Sequence, residues 1–166
     1  MDTETSHGQE GPAYWTGGHT KHRLRYHLVW VPKYRRRVLT GALAERLAEL
    51  LREGADVNKW RVHELNIQPD HVHLLLQIDP DCKLSTVMNS LKGGTSRVIR
   101  QEFPDLREFL WGKHLWADGY FAETVGQIEE TALRRYIREQ QTPWLEEAEA
   151  SGRPPKKPRK AGTHQQ

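Results

Sequence analysis

VNKWRVHELNIQPDHVHLLLQI, residues 57–78, is the stretch whose reading decides the fold. At its centre Pro69-Asp70 is a turn pair: proline presets its backbone angle, and a short carboxylate bonds readily to nearby amides. On either side lie runs of strand-forming residues, Val57 to Gln68 and His71 to Ile78, the second strongly apolar in HVHLLLQI. Two such runs joined by a tight turn predict an antiparallel hairpin.

Working outward, Thr40 stands as a candidate N-cap for a helix running to about Glu53. Leu43, Leu47, Leu50 and Leu51 form its i, i+4, i+7, i+8 stripe. Before it, Leu24 to Val31 (LRYHLVWV) is a strand closed by Pro32. After the hairpin, Ser85 to about Gln101 predicts a second helix carrying Val87, Leu91, Val98 and Ile99. Trp116 to Val125 (WADGYFAETV) has the aromatic content of a fourth strand, and Glu129 to Gln141 forms a last helix that Pro143 ends. The first six elements read β-α-β-β-α-β, the ferredoxin-like arrangement of an α+β fold: an antiparallel sheet with two helices on one face. An additional C-terminal helix carries Tyr136. Such sheets host many functions, so the fold alone selects none.

The 166 residues suit a single domain, read here as residues 19–145. Residues 1–18 form a polar lead, expected to be flexible and unlike a basic-then-apolar secretory signal. Residues 146–166 form a Pro/Lys-rich tail that cannot bury a core, expected to be disordered. Its bases either meet DNA phosphates or form a solvated end. The one cysteine, Cys82, cannot make an internal disulfide, which suits a reducing cytoplasm, and no run approaches a membrane span. The net charge of +3 is a weak pointer to nucleic acid. Its clustering says more: KHRLR at 21–25 and KYRRR at 33–37 bracket the first strand.

His71 and His73, two apart on a strand, point to the same face. They either share a divalent cation, with a third ligand from elsewhere, or are two partly buried polar residues with local hydrogen bonds. Tyr136 and Gln140, four apart, share one face of the last helix. A phenol can attack a phosphodiester, and a Gln amide oxygen one turn on could complete a metal shell; the same pair also suits an ordinary amphipathic helix. Arg134, Arg135 and Arg138 surround the tyrosine and suit phosphate contacts or a solvated face. Lys92 faces either phosphate or solvent. Asp70, just before the first histidine, either supports His71 or serves the turn alone, and the turn role is explanation enough.

PDHVHLLL at 69–76, YHLVWVPKYRRRVL at 26–39, LKGGTSRVIR at 91–100, LWADGYFAETVG at 115–126 and RRYIREQ at 134–140 stand in one order over roughly residues 20–142. In this the chain resembles the TnpA transposases of small bacterial insertion sequences, members of the HUH superfamily named for a His-hydrophobic-His motif. The resemblance implies that His71, His73 and Gln140 hold Mg²⁺ or Mn²⁺. It implies that Tyr136 cuts single-stranded DNA bearing hairpin ends, leaving a 5′-phosphotyrosine and a free 3′-hydroxyl. It also implies a homodimer with composite active sites, each completed by the other subunit's tyrosine helix. DNA contacts are expected from Arg35, Arg36, Arg37, Lys92, Arg134 and Arg138.

Three other readings stand beside this one. A domesticated REP-associated tyrosine transposase would keep the chemistry and act on chromosomal repeat hairpins. A non-catalytic ferredoxin-like module would stack single strands on the exposed aromatics expected at Tyr34, Trp60 and Trp116. A metallohydrolase would need further ligands beside HVH, and no such set is apparent in the sequence.

Overall fold

The computed structural model describes residues 14–110 and 114–139. A short ribbon of β1 (Trp15–Thr16) and β2 (Lys21–His22) precedes β3 (Leu24–Trp30). Then come a 3₁₀ turn (Lys33–Arg35), α1 (Gly41–Val57), β4 (Arg61–Gln68), β5 (His71–Ile78), α2 (Leu84–Glu102), α3 (Leu106–Leu110), β6 (Phe121–Thr124) and α4 (Gln127–Glu139). Four strands pair antiparallel in the order β4-β5-β3-β6. This is the ferredoxin-like α+β sheet that the alternating elements predicted.

Alternation along the central strands sorts their side chains onto two faces. On one, Leu28, Trp30, Val72, Leu74, Leu76 and Ile78 meet Leu43, Leu47 and Leu51 of α1 and Val87, Met88, Leu91 and Ile99 of α2. Each leucine fully buried there contributes about 1.5–3 kcal/mol. The two helices approach closely at Gly54, where an added Cβ would meet Leu91 Cδ2 at 3.5 Å. The other face carries Arg25, His27, Val29, His71, His73, Leu75 and Gln77, all buried although five of them are polar. Helix α4 lies on this second face, with Ile137, Leu133 and Tyr136 packed against Leu75 and Val125.

Several boundaries differ from expectation. Helix α1 continues to Val57, which is exposed, so β4 begins only at Arg61. Thr40 occupies the N-cap position without a side-chain cap bond, and Gly41 takes the left-handed φ of +56° behind it. The strand expected over 116–125 shrinks to four residues. Trp116 instead forms an isolated bridge with Pro32, stacks edge-on against Trp30 and donates Nε1–H to Thr95 Oγ1 at 3.0 Å. Trp60 and Trp116 are both buried, so neither offers the exposed stacking surface expected of it; Tyr34 does. Within the lead expected over 1–18, Trp15–Thr16 pair with Lys21–His22, and residues 1–13 lie outside the described ones, as does the tail expected over 146–166.

Candidate active site

The α4 side of the sheet brings the expected histidines and tyrosine together. The two-residue turn at Pro69-Asp70 starts β5 on His71, and strand alternation puts His73 on the same face. Their ring centroids are 4.9 Å apart. The Tyr136 ring meets His73 edge-on, centroid to centroid 6.3 Å, because α4 rests on Leu75 one strand position further along. Gln68 and Asn66 of β4 stand directly across from His71 and His73, with Gln68 Nε2–H donating to Asn66 Oδ1 at 2.6 Å.

Each histidine is fixed through its Nδ1. That of His71 donates to Asp70 Oδ1 at 2.7 Å, and the opposite carboxylate oxygen accepts Arg35 Nε–H at 3.1 Å. That of His73 lies 3.1 Å from His27 Nε2, the two rings being nearly coplanar in orientation. His27 was not singled out in the sequence. It sits two residues before Val29, the cross-strand partner of His73, and only the register of β3 against β5 joins them.

Burial keeps these imidazoles neutral. It lowers His73 to about 2, with the nearby His27 and His71 adding to the effect, and lowers His27 to about 4. His71 is also lowered by burial, though Asp70 opposes the shift. Burial alone would raise Asp70, but its hydrogen bond to His71 and the charges of Arg35 and Arg37 hold the carboxyl below its ordinary value. A neutral imidazole whose Nδ1–H is donated keeps its lone pair on Nε2, the form that ligates metal. Nε2 of His71 is buried and has no hydrogen-bond partner among the described residues. The donor set therefore fits a divalent cation. No cluster of three His, Cys, Asp or Glu forms a metal site among the described residues. Gln140, the ligand expected, lies outside the described residues.

The basic residues divide. Arg35 reaches the site through Asp70, while Arg36 and Arg37 are exposed beside it. Lys92 is drawn elsewhere: its ammonium donates to the carbonyls of Ala117 and Gly119 at 2.9 and 2.7 Å, holding that loop. Arg134 and Arg138 tie α4 to the sheet instead of standing clear of it. Arg134 bonds His63 Nδ1 and pairs with Glu130, both at 3.1 Å, and Arg138 bonds Glu64 at 3.1 Å. Glu130, also missed in the sequence, is buried and accepts from Arg23 and Arg25 of the first strand region. The signal was present in the charges of KHRLR, set on residues that a strand would turn inward.

The segment leading out of β3 is strained. Tyr34 and Arg35 adopt φ of +58° and +49°, the left-handed region that costs a residue with a Cβ about 1–2 kcal/mol. Backbone bonds hold it there, from Lys33 N–H to Leu115 O at 2.8 Å and from Leu39 N–H to Pro69 O at 3.0 Å.

The ferredoxin-like sheet carries the histidine pair and the helical tyrosine on one face, the arrangement expected from the motifs of a transposase. Residues 20–140 match the family described as Transposase IS200 like, and the chain belongs to that family. It is 38% identical over 119 residues to the ISDra2 transposase TnpA of Deinococcus radiodurans, covering 72% of this chain and 85% of that one. It is 33% identical over 122 residues to the transposase for insertion sequence element IS200 of Salmonella typhimurium, covering 74% and 80%. A crystal structure of a candidate transposase from Deinococcus radiodurans R1 superposes with a TM-score of 0.62 at 34% identity, over 77% of this chain and 98% of that one. A REP-associated tyrosine transposase bound to a REP hairpin shares the fold, with a TM-score of 0.53 at 13% identity over 80% and 71% of the two chains. Family membership makes the protein a transposase, an enzyme of DNA cleavage and strand transfer. No helix among the described residues is long and apolar enough to cross a membrane.

Proposed function

We propose that this transposase cuts and rejoins single-stranded DNA with Tyr136 as nucleophile, at hairpin-bearing ends of an insertion sequence. The observation that carries this reading is the edge-on placement of Tyr136 against His73, itself paired with His71 on the same strand. The Tyr136 oxygen bonds to phosphorus, and the phosphorus–O3′ bond of the strand breaks. The phenol proton ends on the released 3′ oxygen, directly or through solvent. One product is a 5′-phosphotyrosine and the other a free 3′-hydroxyl. Attack by a 3′-hydroxyl on the phosphotyrosine reverses the exchange and rejoins DNA, conserving bond energy without ATP.

His71 and His73 would hold a divalent cation, with Gln140 as third ligand. When bound, that ion supplies charge stabilisation to the reacting phosphate. Mg²⁺ prefers oxygen ligands, so imidazoles at this site favour Mn²⁺ in affinity even where Mg²⁺ is the commoner ion. Asp70 and His27 orient the two imidazoles and keep their Nε2 lone pairs facing the site. The buried face of α4 positions the phenol and excludes water from one side of it.

The test is a labelled single-stranded hairpin substrate resolved on a denaturing gel. Wild type should give a slowly migrating protein–DNA adduct with divalent metal present and none in EDTA. Tyr136→Phe keeps the ring contact with His73 and should give no adduct under either condition. An adduct formed by Tyr136→Phe would remove Tyr136 from the mechanism.

A further inference from the structure

Away from the histidine–tyrosine site, the described residues form a groove of about 970 Å³ between the segment after β3 and the junction of α2 with α3. Its size stands at the upper end of small-ligand clefts, which span roughly 300–1,000 Å³. Its lining includes Phe103, Pro104 and Leu106 from that junction and Tyr34, Arg36 and Arg37 from the segment after β3. Tyr34 is 62% exposed, and the Lys33 ammonium lies 5.3 Å from its ring centroid, a cation–π contact. Arg36 and Arg37 are exposed, and no carboxylate of the described residues forms an ion pair with either. Of the two acids that line the groove, Glu102 and Asp105, the first is held by Arg46 at 2.9 Å.

We propose that this groove receives one unpaired nucleotide of the DNA strand, its base against Tyr34 and the Phe103–Pro104 wall and its phosphate on Arg36 and Arg37. The inference rests on the reading that single-stranded DNA is the substrate. Three independent features point the same way. An aromatic ring beside an apolar wall takes the face of any base, and adjacent guanidiniums take the phosphate; that is the chemistry of single-strand binding. Tyr34 and Arg35 both hold left-handed backbone angles that their side chains disfavour, and strain of this kind persists where a ligand clamp needs it. Arg35 lines the same groove and bonds Asp70, which bonds His71, so the groove and the candidate metal ligand share one carboxylate. A nucleotide seated here would fix the strand's register relative to the scissile phosphate. A fully paired duplex keeps its bases stacked and cannot enter.

The experiment uses the full chain carrying Tyr136→Phe, so that the strand stays whole, and hairpin oligonucleotides with a single-stranded flank. 5-Iodouracil is placed at each flank position in turn and irradiated. The expected result is a crosslink from one flank position to the peptide containing Tyr34 or to that containing Phe103. In fluorescence anisotropy, Tyr34→Gly should weaken flank-bearing DNA by at least about 5-fold, the lower end of base–aromatic stacking. It should leave a blunt hairpin unchanged. Glycine suits the left-handed angle, so this variant removes the ring without disturbing the segment, and Tyr34→Phe should restore binding. Arg36→Gln with Arg37→Gln should lower the salt slope by about 1.4, as expected for two phosphate contacts on a single strand. Equal affinity of wild type and Tyr34→Gly for flanked DNA, or crosslinks confined to other peptides, overturns the proposal. Either of those results, obtained while the chain that retains Tyr136 still forms its adduct on a denaturing gel, removes the groove and leaves the cleavage reading intact. Crosslinking at Tyr34, with no adduct from the chain that retains Tyr136 on a denaturing gel, supports the groove and removes the nucleophile.

Discussion

Asp70 Oδ1 accepts the Nδ1–H of His71 at 2.7 Å, while its other oxygen holds Arg35. A carboxylate in that position fixes the ring and raises the basicity of the opposite nitrogen. The pairing also explains why the turn ends in Asp and not in the Asn or Gly that would serve the backbone equally well.

Asp70→Asn should therefore keep the turn and weaken the metal. Loss of such a partner typically costs 10–100-fold in metal affinity or activity. Cleavage measured against graded Mn²⁺ should need about that much more metal to reach half its maximum, with hairpin binding little changed. An unshifted metal requirement would mean that Asp70 serves only the turn.

The buried histidines predict acid lability. His27 and His63 lie near 4 and His73 near 2, against an ordinary value of 6.5, with burial the first cause in each. All three are neutral in the fold and take up protons on unfolding, so the unfolded chain binds more protons below about pH 6.5. Their contribution is complete above that pH and is lost as pH falls, two of the three reaching their limit near 4. Each unit of separation is worth about 1.4 kcal/mol. Melting temperature in EDTA should thus be level above about pH 7 and fall steeply from about 6 to 4. His63→Gln should flatten part of that fall, and a level profile throughout would contradict the neutral assignment.

Glu130 predicts how α4 is held. One buried carboxylate meets Arg23, Arg25 and Arg134, so removing its charge leaves three guanidiniums facing one another. Breaking a buried pair in this way costs about 3–5 kcal/mol. In Glu130→Gln, amide exchange along α4 should accelerate by the corresponding factor while β5 keeps its protection. Arg138→Ala removes an exposed pair with Glu64 and should cost less than about 1 kcal/mol. Equal effects from the two substitutions would rule out Glu130 as the anchor.

What could be read from the sequence follows from which signals are local. The β4–β5 hairpin and the HVH face each depend on spacing within one element; the hairpin forms with β4 starting at Arg61, and the last helix, expected over 129–141, is described over Gln127–Glu139. His27 depends on register, its partner lying 46 residues away, and the buried pairs of Glu130 with Arg23 and Arg25 span 105 residues or more, so their meeting is set by the fold and not by local spacing. The helix was expected to end near Glu53 because Val57 resembles the start of a strand. Val57 is 82% exposed, however, and the last turn of α1 continues through it on the solvent side. Trp116 was placed in a strand by its ring, but the ring is used in the core against Trp30. Lys92 and Arg134 have partners within the chain that charge alone does not reveal: the carbonyls of Ala117 and Gly119, and His63.

The last prediction concerns whose tyrosine serves whose histidines. Here α4 docks on the sheet of its own chain, joined to β6 through Val125 and Gly126. An exchange of α4 between two chains would preserve every contact of Tyr136, Ile137 and Glu130, since swapped elements make the same interactions in a partner. The resemblance to TnpA transposases favours such a composite dimer, and two-fold symmetry would give two equivalent sites. Mixing a His71→Ala/His73→Ala chain with a Tyr136→Phe chain separates the cases, because each is inactive alone. In an exchanged heterodimer one site has both histidines and a tyrosine, while the other lacks all three, so adduct formation should partly return. If each chain uses its own α4, both sites remain incomplete and the mixture stays silent. We expect recovery, rising with the fraction of heterodimer. Silence from a mixture shown to contain heterodimers would establish that α4 works on the sheet it follows in sequence.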